Sequence, residues 1–304
     1  MGAQLRVVRR RIRTVQATKK ITKAMELIAA SRIVKAQNRL SATRPYAIEL
    51  NRALTAAASN ASSIDQHPLL AAQESETRAA VIVITADRGL AGAYSSNAIR
   101  EAQALTSLLN EDGYEVAPYV VGRKGEGWFR FRDRPVAKSW TGISDQPTYD
   151  DAAAIADAVL ERFLQPTAEG GVDQLHIVFT DFKNMVSQEV RVRRILPLEV
   201  VEEKEESTGT LSPLYDFEPS AEGVLDALLP RYVRTIIYTA LLESAASEHS
   251  ARRRAMKAAT DNADDLIKSL TRQANQARQA EITQEISEIV GGADALASVT
   301  AGSE

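Results

Sequence analysis

The chain predicts a mixed α/β protein: a small doubly wound, Rossmann-like domain joined to a long antiparallel coiled coil of its own N- and C-terminal helices. Three observations predict it. No glycine or proline interrupts the stretches between Gly2 and Pro45 and from Arg231 to Val290. In both stretches apolar or small residues recur three or four apart, the period of a helix with one buried stripe. Between them, short apolar runs alternate with amphipathic segments, as in parallel strands covered on both faces.

The first helix carries its stripe on Leu5, Val8, Ile12, Val15, Thr18, Thr22, Met25, Ala29, Ile33, Ala36 and Leu40, and spans roughly 60 Å at 1.5 Å per residue. Pro45 is a place for a kink before the helix resumes toward Ala58. Ala79 to Thr85 reads as a strand buried on both sides, and Ser95 to Leu109 as a helix. Tyr114 to Val121 is a second strand, Val136 to Trp140 a third, Asp150 to Leu164 a helix, Gln174 to Thr180 another buried strand and Val190 to Leu196 an antiparallel edge. Between the second and third strands, Gly122 to Gly127 with Arg123 and Lys124 reads as a basic hairpin turn. The last helix has Val233, Ile236, Ile237, Ala240, Met256, Ala259, Ala263, Leu266, Leu270, Ala274 and Ala277 on its stripe. The stripe then changes phase to Ile282, Ile286 and Ile289, which predicts unwinding or a change of neighbour. Gly291-Gly292 is a stop signal, and Pro230 either starts the rod or kinks a helix beginning at Ala221. The expected domains are residues 1–58, 79–198, an acidic linker at 199–220, and 221–296; residues 199–226 hold nine acids against one lysine.

Composition narrows the function. With 44% hydrophobic and 25% charged residues among 304, the chain is an ordinary globular one, neither disordered nor collagenous, while 5% aromatics is low for a single large core. The absence of cysteine excludes disulfides, thiolate metal sites and a cysteine nucleophile. The net charge of −3 conceals a bias, because the first 40 residues hold eleven Lys or Arg against the single acid Glu26. Such a flank predicts an acidic partner: nucleic acid, anionic lipid or an acidic protein surface. No apolar run is long enough to span a bilayer and none has the build of a signal peptide.

No chemistry emerges from the motifs. Asp87-Arg88-Gly89-Leu90-Ala91-Gly92 follows a strand and opens a helix, the setting of a phosphate loop, but matches neither the dinucleotide fingerprint nor the Walker loop and reads as a tight turn. His67, His176 and His249 have no neighbours at ligand spacing, so neither a metal nor another cofactor is expected. The absence of a catalytic set points to a mechanical or binding role. Two rivals are a coiled-coil nucleic-acid binder using the basic helix, which lacks interleaved aromatics, and a nucleotide-binding enzyme using the Gly89 turn.

Lys20-Ile21-Thr22-Lys23-Ala24-Met25-Glu26-Leu27-Ile28-Ala29-Ala30-Ser31 resembles the N-terminal signature of the gamma subunits of F-type ATP synthases. So do Met256-Lys257-Ala258-Ala259-Thr260-Asp261-Asn262 and Ala277-Arg278-Gln279-Ala280-Glu281-Ile282-Thr283-Gln284-Glu285-Ile286, and the Thr85 to Gly92 turn is similar to the family's first strand-to-helix turn. The resemblance spans nearly the whole chain in the right order. It implies a non-catalytic rotor shaft. In that family the coiled coil turns inside a hexamer of three alpha and three beta subunits, and the α/β domain sits with epsilon on the ring of c subunits, where proton flow drives rotation. It further implies that Met25 meets an acidic loop of beta, that Arg252, Gln279, Thr283 and Glu285, with Arg278 beside them, form a polar catch on beta, and that Tyr215 and Glu218 touch the c ring. The missing cysteine pair sets the chain apart from chloroplast relatives, and a bacterial enzyme at the cytoplasmic face of the cell membrane is expected. Gln165 to Asp173 looks longer than the family's usual link; it predicts a loop that projects from the α/β domain without entering its core.

Overall fold

A computed structural model describes residues 2–61, 67–70, 77–198, 217–218 and 220–301. The elements are α1 (Gly2–Asn60), β1 (Arg78–Ile84), α2 (Tyr94–Glu111), β2 (Glu115–Val121), α3 (Arg123–Phe131), β3 (Lys138–Trp140), α4 (Tyr149–Phe163), β4 (Gln174–Phe182), β5 (Gln188–Leu196) and α5 (Ala221–Ala301). The chain divides into two compact units, Ala29–Arg253, and Met1–Ile28 together with Arg254–Glu304.

The unit Ala29–Arg253 is built on one five-stranded sheet of order β3-β2-β1-β4-β5, parallel except for β5. β1 is covered on both sides, as its unbroken apolar run requires. Ala79, Val81 and Val83 pack on Ala102, Leu105 and Leu109 of α2. Ala80, Ile82 and Ile84 face a larger core, where α4 brings Ile155, Val159 and Phe163, α1 brings Leu50, Leu54 and Ala57, and α5 brings Leu229, Val233, Ile237 and Leu241. Helices on opposite faces of a mainly parallel sheet are the doubly wound arrangement. A capping box opens α4: the Thr148 hydroxyl accepts from Asp151 N at 3.2 Å, and the Asp151 carboxylate accepts from Thr148 N at 2.8 Å.

Several expectations need correction here. Gly122 to Gly127 is the start of α3 and not a hairpin. Gly122 sits at φ 94, and a Cβ on it would stand 2.2 Å from the Thr85 carbonyl oxygen; a Cβ on Gly125 would lie 2.7 Å from Val120 Cγ1. These glycines let α3 approach the ends of β1 and β2, where Gly125 N donates to Thr85 Oγ1 at 2.9 Å. Pro45 lies within α1 without ending it; it is on an exposed face, where the carbonyl it leaves unpaired meets water. Pro230 likewise lies inside α5, which begins at Ala221.

The 165–173 segment does not project. It forms a single 3-10 turn, Thr167–Glu169, and folds back so closely that a Cβ on Gly171 would be 2.0 Å from the Gln165 carbonyl oxygen. Val172 is buried in the main core. Asp173 is 2% exposed, and its carboxylate accepts from Thr77 N at 2.8 Å, Arg78 N at 2.9 Å and Thr167 Oγ1 at 2.6 Å. The segment therefore braces the start of β1.

In the second unit α1 and α5 run antiparallel. Thr22 Oγ1 meets Thr260 Oγ1 at 2.7 Å, and Lys19 pairs with Asp264. Leu5, Thr22, Met256, Thr260, Ala263 and Leu270 are buried. The seam departs from the expected stripe at two places. Thr18 is exposed and Lys19 half-buried, while Leu266 is 39% exposed and Ile267 turns inward instead. The unwinding expected where the stripe changes phase does not occur: α5 stays helical there, and every side chain from Ile282 to Ala293 is exposed. Gly291-Gly292 does not stop α5, which continues to Ala301. Glycine lowers helix stability by about 1 kcal/mol against alanine without forbidding the conformation.

Candidate functional sites

The order of the strands reverses around β1, which lies between β2 and β4, and in open α/β sheets ligands enter at this switch point, beyond the carboxyl ends of the strands. Here α5 fills it. Ser244, Ser247, Glu248 and Arg252 repeat at helical spacing and are all buried. Ser244 Oγ accepts from Thr180 N at 3.2 Å, and Ser247 Oγ donates to Thr180 O at 3.1 Å. Arg252 Nη2 donates to Glu248 Oε1 at 2.6 Å and to the carbonyl of Arg88 at 3.2 Å, and the guanidinium also reaches the carbonyl of Gly89 at 3.4 Å. The turn that resembled a phosphate loop thus presents carbonyls to a cation of its own chain.

The surrounding groups are set by burial. Burial raises the Glu248 carboxyl, opposed by the charge and hydrogen bond of Arg252. His249 is pushed down to about 4, chiefly by burial, and is neutral near pH 7. Its Nε2 lies 3.0 Å from the Asp145 carbonyl and its Nδ1 3.4 Å from Arg252 Nη1, so Nε2 donates and Nδ1 accepts. Burial also raises the Tyr94 phenol, keeping it protonated. Burial works against the charge of Asp87, but the N–H groups of Gly142, Ser144 and Arg123 outweigh it and hold that carboxyl below its ordinary range. Sequence reasoning missed Ser244, Ser247 and Glu248, and weighed His249 only as a metal ligand; the available signal was an acid and an arginine four apart at the end of a run of small residues and serines.

The residues singled out by the resemblance fall in both units. Met25 is half-buried on α1, beside the Lys23–Glu26 ion pair and the exposed Ile21, Leu27 and Ile28. Arg278, Gln279, Thr283 and Glu285 are exposed on α5, and Thr283 Oγ1 bonds the Gln279 carbonyl of its own helix at 2.9 Å. Arg252 belongs to the unit Ala29–Arg253 and is 7% exposed. Glu218 is exposed in a bend, and Tyr215 lies outside the described residues. On the basic flank Arg9, Arg10, Arg11, Arg13 and Lys20 are exposed.

The three histidines serve structure separately. His67 meets Asp226 at 2.9 Å, His176 meets Gln174 at 2.8 Å, and His249 is described above. Among the described residues no group of three or more His, Cys, Asp or Glu is placed to hold a metal ion, and no helix is long and apolar enough to cross a membrane.

The family model described as ATP synthase matches residues 4–296. The ATP synthase gamma chain of Thermobifida fusca is 62% identical over 308 residues, and that of Acidothermus cellulolyticus 61% over 304, each comparison covering 100% of both chains. Among solved structures, the central stalk and c ring of the Tetrahymena thermophila mitochondrial ATP synthase contains a chain 27% identical, with a TM-score of 0.57 over 79% of this chain and 99% of that one. A chain of the Euglena gracilis mitochondrial ATP synthase shares the fold with a TM-score of 0.67 at 18% identity, covering 97% of this chain and 95% of that one. Nothing in these likenesses favours a nucleic-acid binder. The chain belongs to the gamma-chain family of ATP synthase, as a non-catalytic subunit of a membrane-associated complex.

Proposed function

We propose that the chain is the rotor of a bacterial proton-translocating ATP synthase, carrying torque from a c ring to catalytic beta subunits whose chemistry it does not share. The observation that carries this reading is α5, 81 residues without interruption, which supplies core side chains to the α/β unit and a seam to the coiled coil. A continuous helix resists twisting because each turn is tied to the next by backbone hydrogen bonds.

In this reading the coiled coil turns within three alpha and three beta subunits. Met25 faces an acidic loop of beta, and Arg278, Gln279, Thr283 and Glu285 make polar contacts with beta from the exposed part of α5. Arg252, grouped with them by the resemblance, is engaged inside its own chain. Glu218 and Tyr215 contact the c ring, epsilon binds the α/β unit, and the complex lies on the cytoplasmic side of the cell membrane. The basic flank of α1 supports an acidic surround. The test is to purify the assembled enzyme with and without this chain, and to measure ATP hydrolysis and ATP-driven proton pumping in vesicles. Pumping that requires the chain supports the proposal, and pumping that survives its omission refutes it.

A further inference from the structure

The switch-point crevice of a doubly wound sheet is where such folds hold a ligand, and here α5 occupies it with charge. β1 ends at Ile84 while β4 continues to Phe182, so the part of β4 around Thr180 runs on beyond the last β1–β4 pair, Val83 with Val178. Ser244 and Ser247 supply bonds to the N–H and carbonyl of Thr180. One turn on, Glu248 is 0% exposed and braces Arg252, whose fork holds the Arg88 and Gly89 carbonyls. Ala251 packs on Ala86, Ala91 and Tyr94 from the same turn. Further along, Ser250 Oγ donates to the Met185 carbonyl at 2.8 Å in the β4–β5 connection.

We infer that Ser244, Ser247, Glu248 and Arg252 form a keyed joint that locks α5 to the carboxyl ends of β1 and β4, and that this joint, in place of a contact with a partner subunit, is the work of Arg252. Its functional consequence rests on the rotor reading above. Rotation imposed on the α/β unit reaches α5 through whatever resists slip between helix and sheet. Apolar packing alone is non-directional, whereas a guanidinium fork bonded to Glu248 and to the Arg88 and Gly89 carbonyls fixes the angle of α5 about its axis. A lysine has one ammonium and no planar fork, so it cannot reproduce the geometry. Glu248 is a positioning residue: it is buried within its own unit and acts by orienting Arg252.

The test uses the assembled complex carrying Glu248→Gln, Arg252→Lys, or both. ATP hydrolysis, ATP-driven pumping, and hydrogen exchange of peptides covering 86–92 and 244–252 are measured. The expected result for each single variant is faster exchange in both peptides and a pumping-to-hydrolysis ratio several-fold below the parent. The double variant should be no worse than the poorer single one, because both remove one device. Losses that multiply in the double variant would show Arg252 acting elsewhere and overturn the inference. So would Glu248→Gln with parental exchange and pumping, since that variant removes the carboxylate charge that holds Arg252 while keeping the side-chain shape. Should Glu248→Gln fail to assemble, Ser247→Ala removes one bond to Thr180 and should speed exchange in the 244–252 peptide; unchanged exchange there would count against the joint. If exchange rises as expected while pumping is indifferent to the chain altogether, the joint stands and the rotor reading falls.

Discussion

Replacing Asp173 by alanine should destabilise the α/β unit by about 2 kcal/mol, with the loss falling on the link between the 165–173 segment and β1. The carboxylate is buried and accepts three hydrogen bonds, from Thr77 N, Arg78 N and Thr167 Oγ1. Leaving a buried donor unsatisfied costs about 1–3 kcal/mol, and bonds to a charged acceptor lie toward the upper end of the ordinary range. Thr77 is exposed enough for water to reach its N–H, so most of the loss comes from Arg78 N, which is half-buried at the first residue of β1. Asp173→Asn keeps an oxygen for the two N–H groups and should cost about 1 kcal/mol. Deleting residues 167–172 also removes Val172 from the core, a further loss of roughly 1.5–3 kcal/mol. Both tryptophans, Trp128 and Trp140, lie in the Ala29–Arg253 unit, so their fluorescence during urea unfolding follows that unit. An Asp173→Ala shift below about 0.5 kcal/mol, within the ordinary range of surface substitutions, or an asparagine variant as unstable as the alanine one, would refute the reasoning.

Gly122→Ala should abolish folding of the α/β unit, since the new Cβ would stand 2.2 Å from a backbone oxygen at a left-handed φ of 94; soluble, cooperatively unfolding protein would contradict this. Glu243 is pushed up to about 7 from an ordinary 4.5 by burial, with Asp181 adding to the shift and Arg191 and Arg193 opposing it. The folded state therefore keeps its proton where the unfolded state has lost it, and stability should fall as pH rises from about 4.5 to 7, by on the order of 2–3 kcal/mol. Glu243→Gln should flatten that dependence in urea titrations at several pH values, and an unchanged slope would assign it to other groups. Met25→Lys sets a cation on α1 toward the proposed acidic loop of beta, worth about 1 kcal/mol per partly exposed pair. By favouring one rotational state it should reduce ATP synthesis more than hydrolysis, and equal effects on both would argue against that contact.

Period and composition made much of this legible. The apolar run of β1 announced two-sided burial, and the three-and-four spacing announced both long helices. What failed did so for local reasons. In the sequence Gly122 and Gly125 look like turn residues because glycine marks both turns and close approach, and only the position of Thr85 distinguishes them. Gly170-Gly171 suggested a projecting loop, yet Val172 and Asp173 point inward because β1 needs its first N–H groups capped. Helical periodicity puts Leu266 on the seam, while the register set by Thr22 and Thr260 turns Ile267 inward. The contacts with partners were reached through resemblance alone, since an exposed polar helix face carries no internal mark of what it meets. The Glu248–Arg252 pair has a visible spacing, but its burial depends on strands far away in the sequence.

The main core also sets conditions for biosynthesis. Ile82, Leu175 and Ile177 share that core with Leu229, Val233, Ile237 and Leu241. On the ribosome every strand emerges before α5 does, so one broad greasy face of the nascent sheet waits for a C-terminal helix not yet translated. During that interval the intermediate is a natural client for a holding chaperone, and a truncated product ending before Ala221 is destined for aggregation or proteolysis.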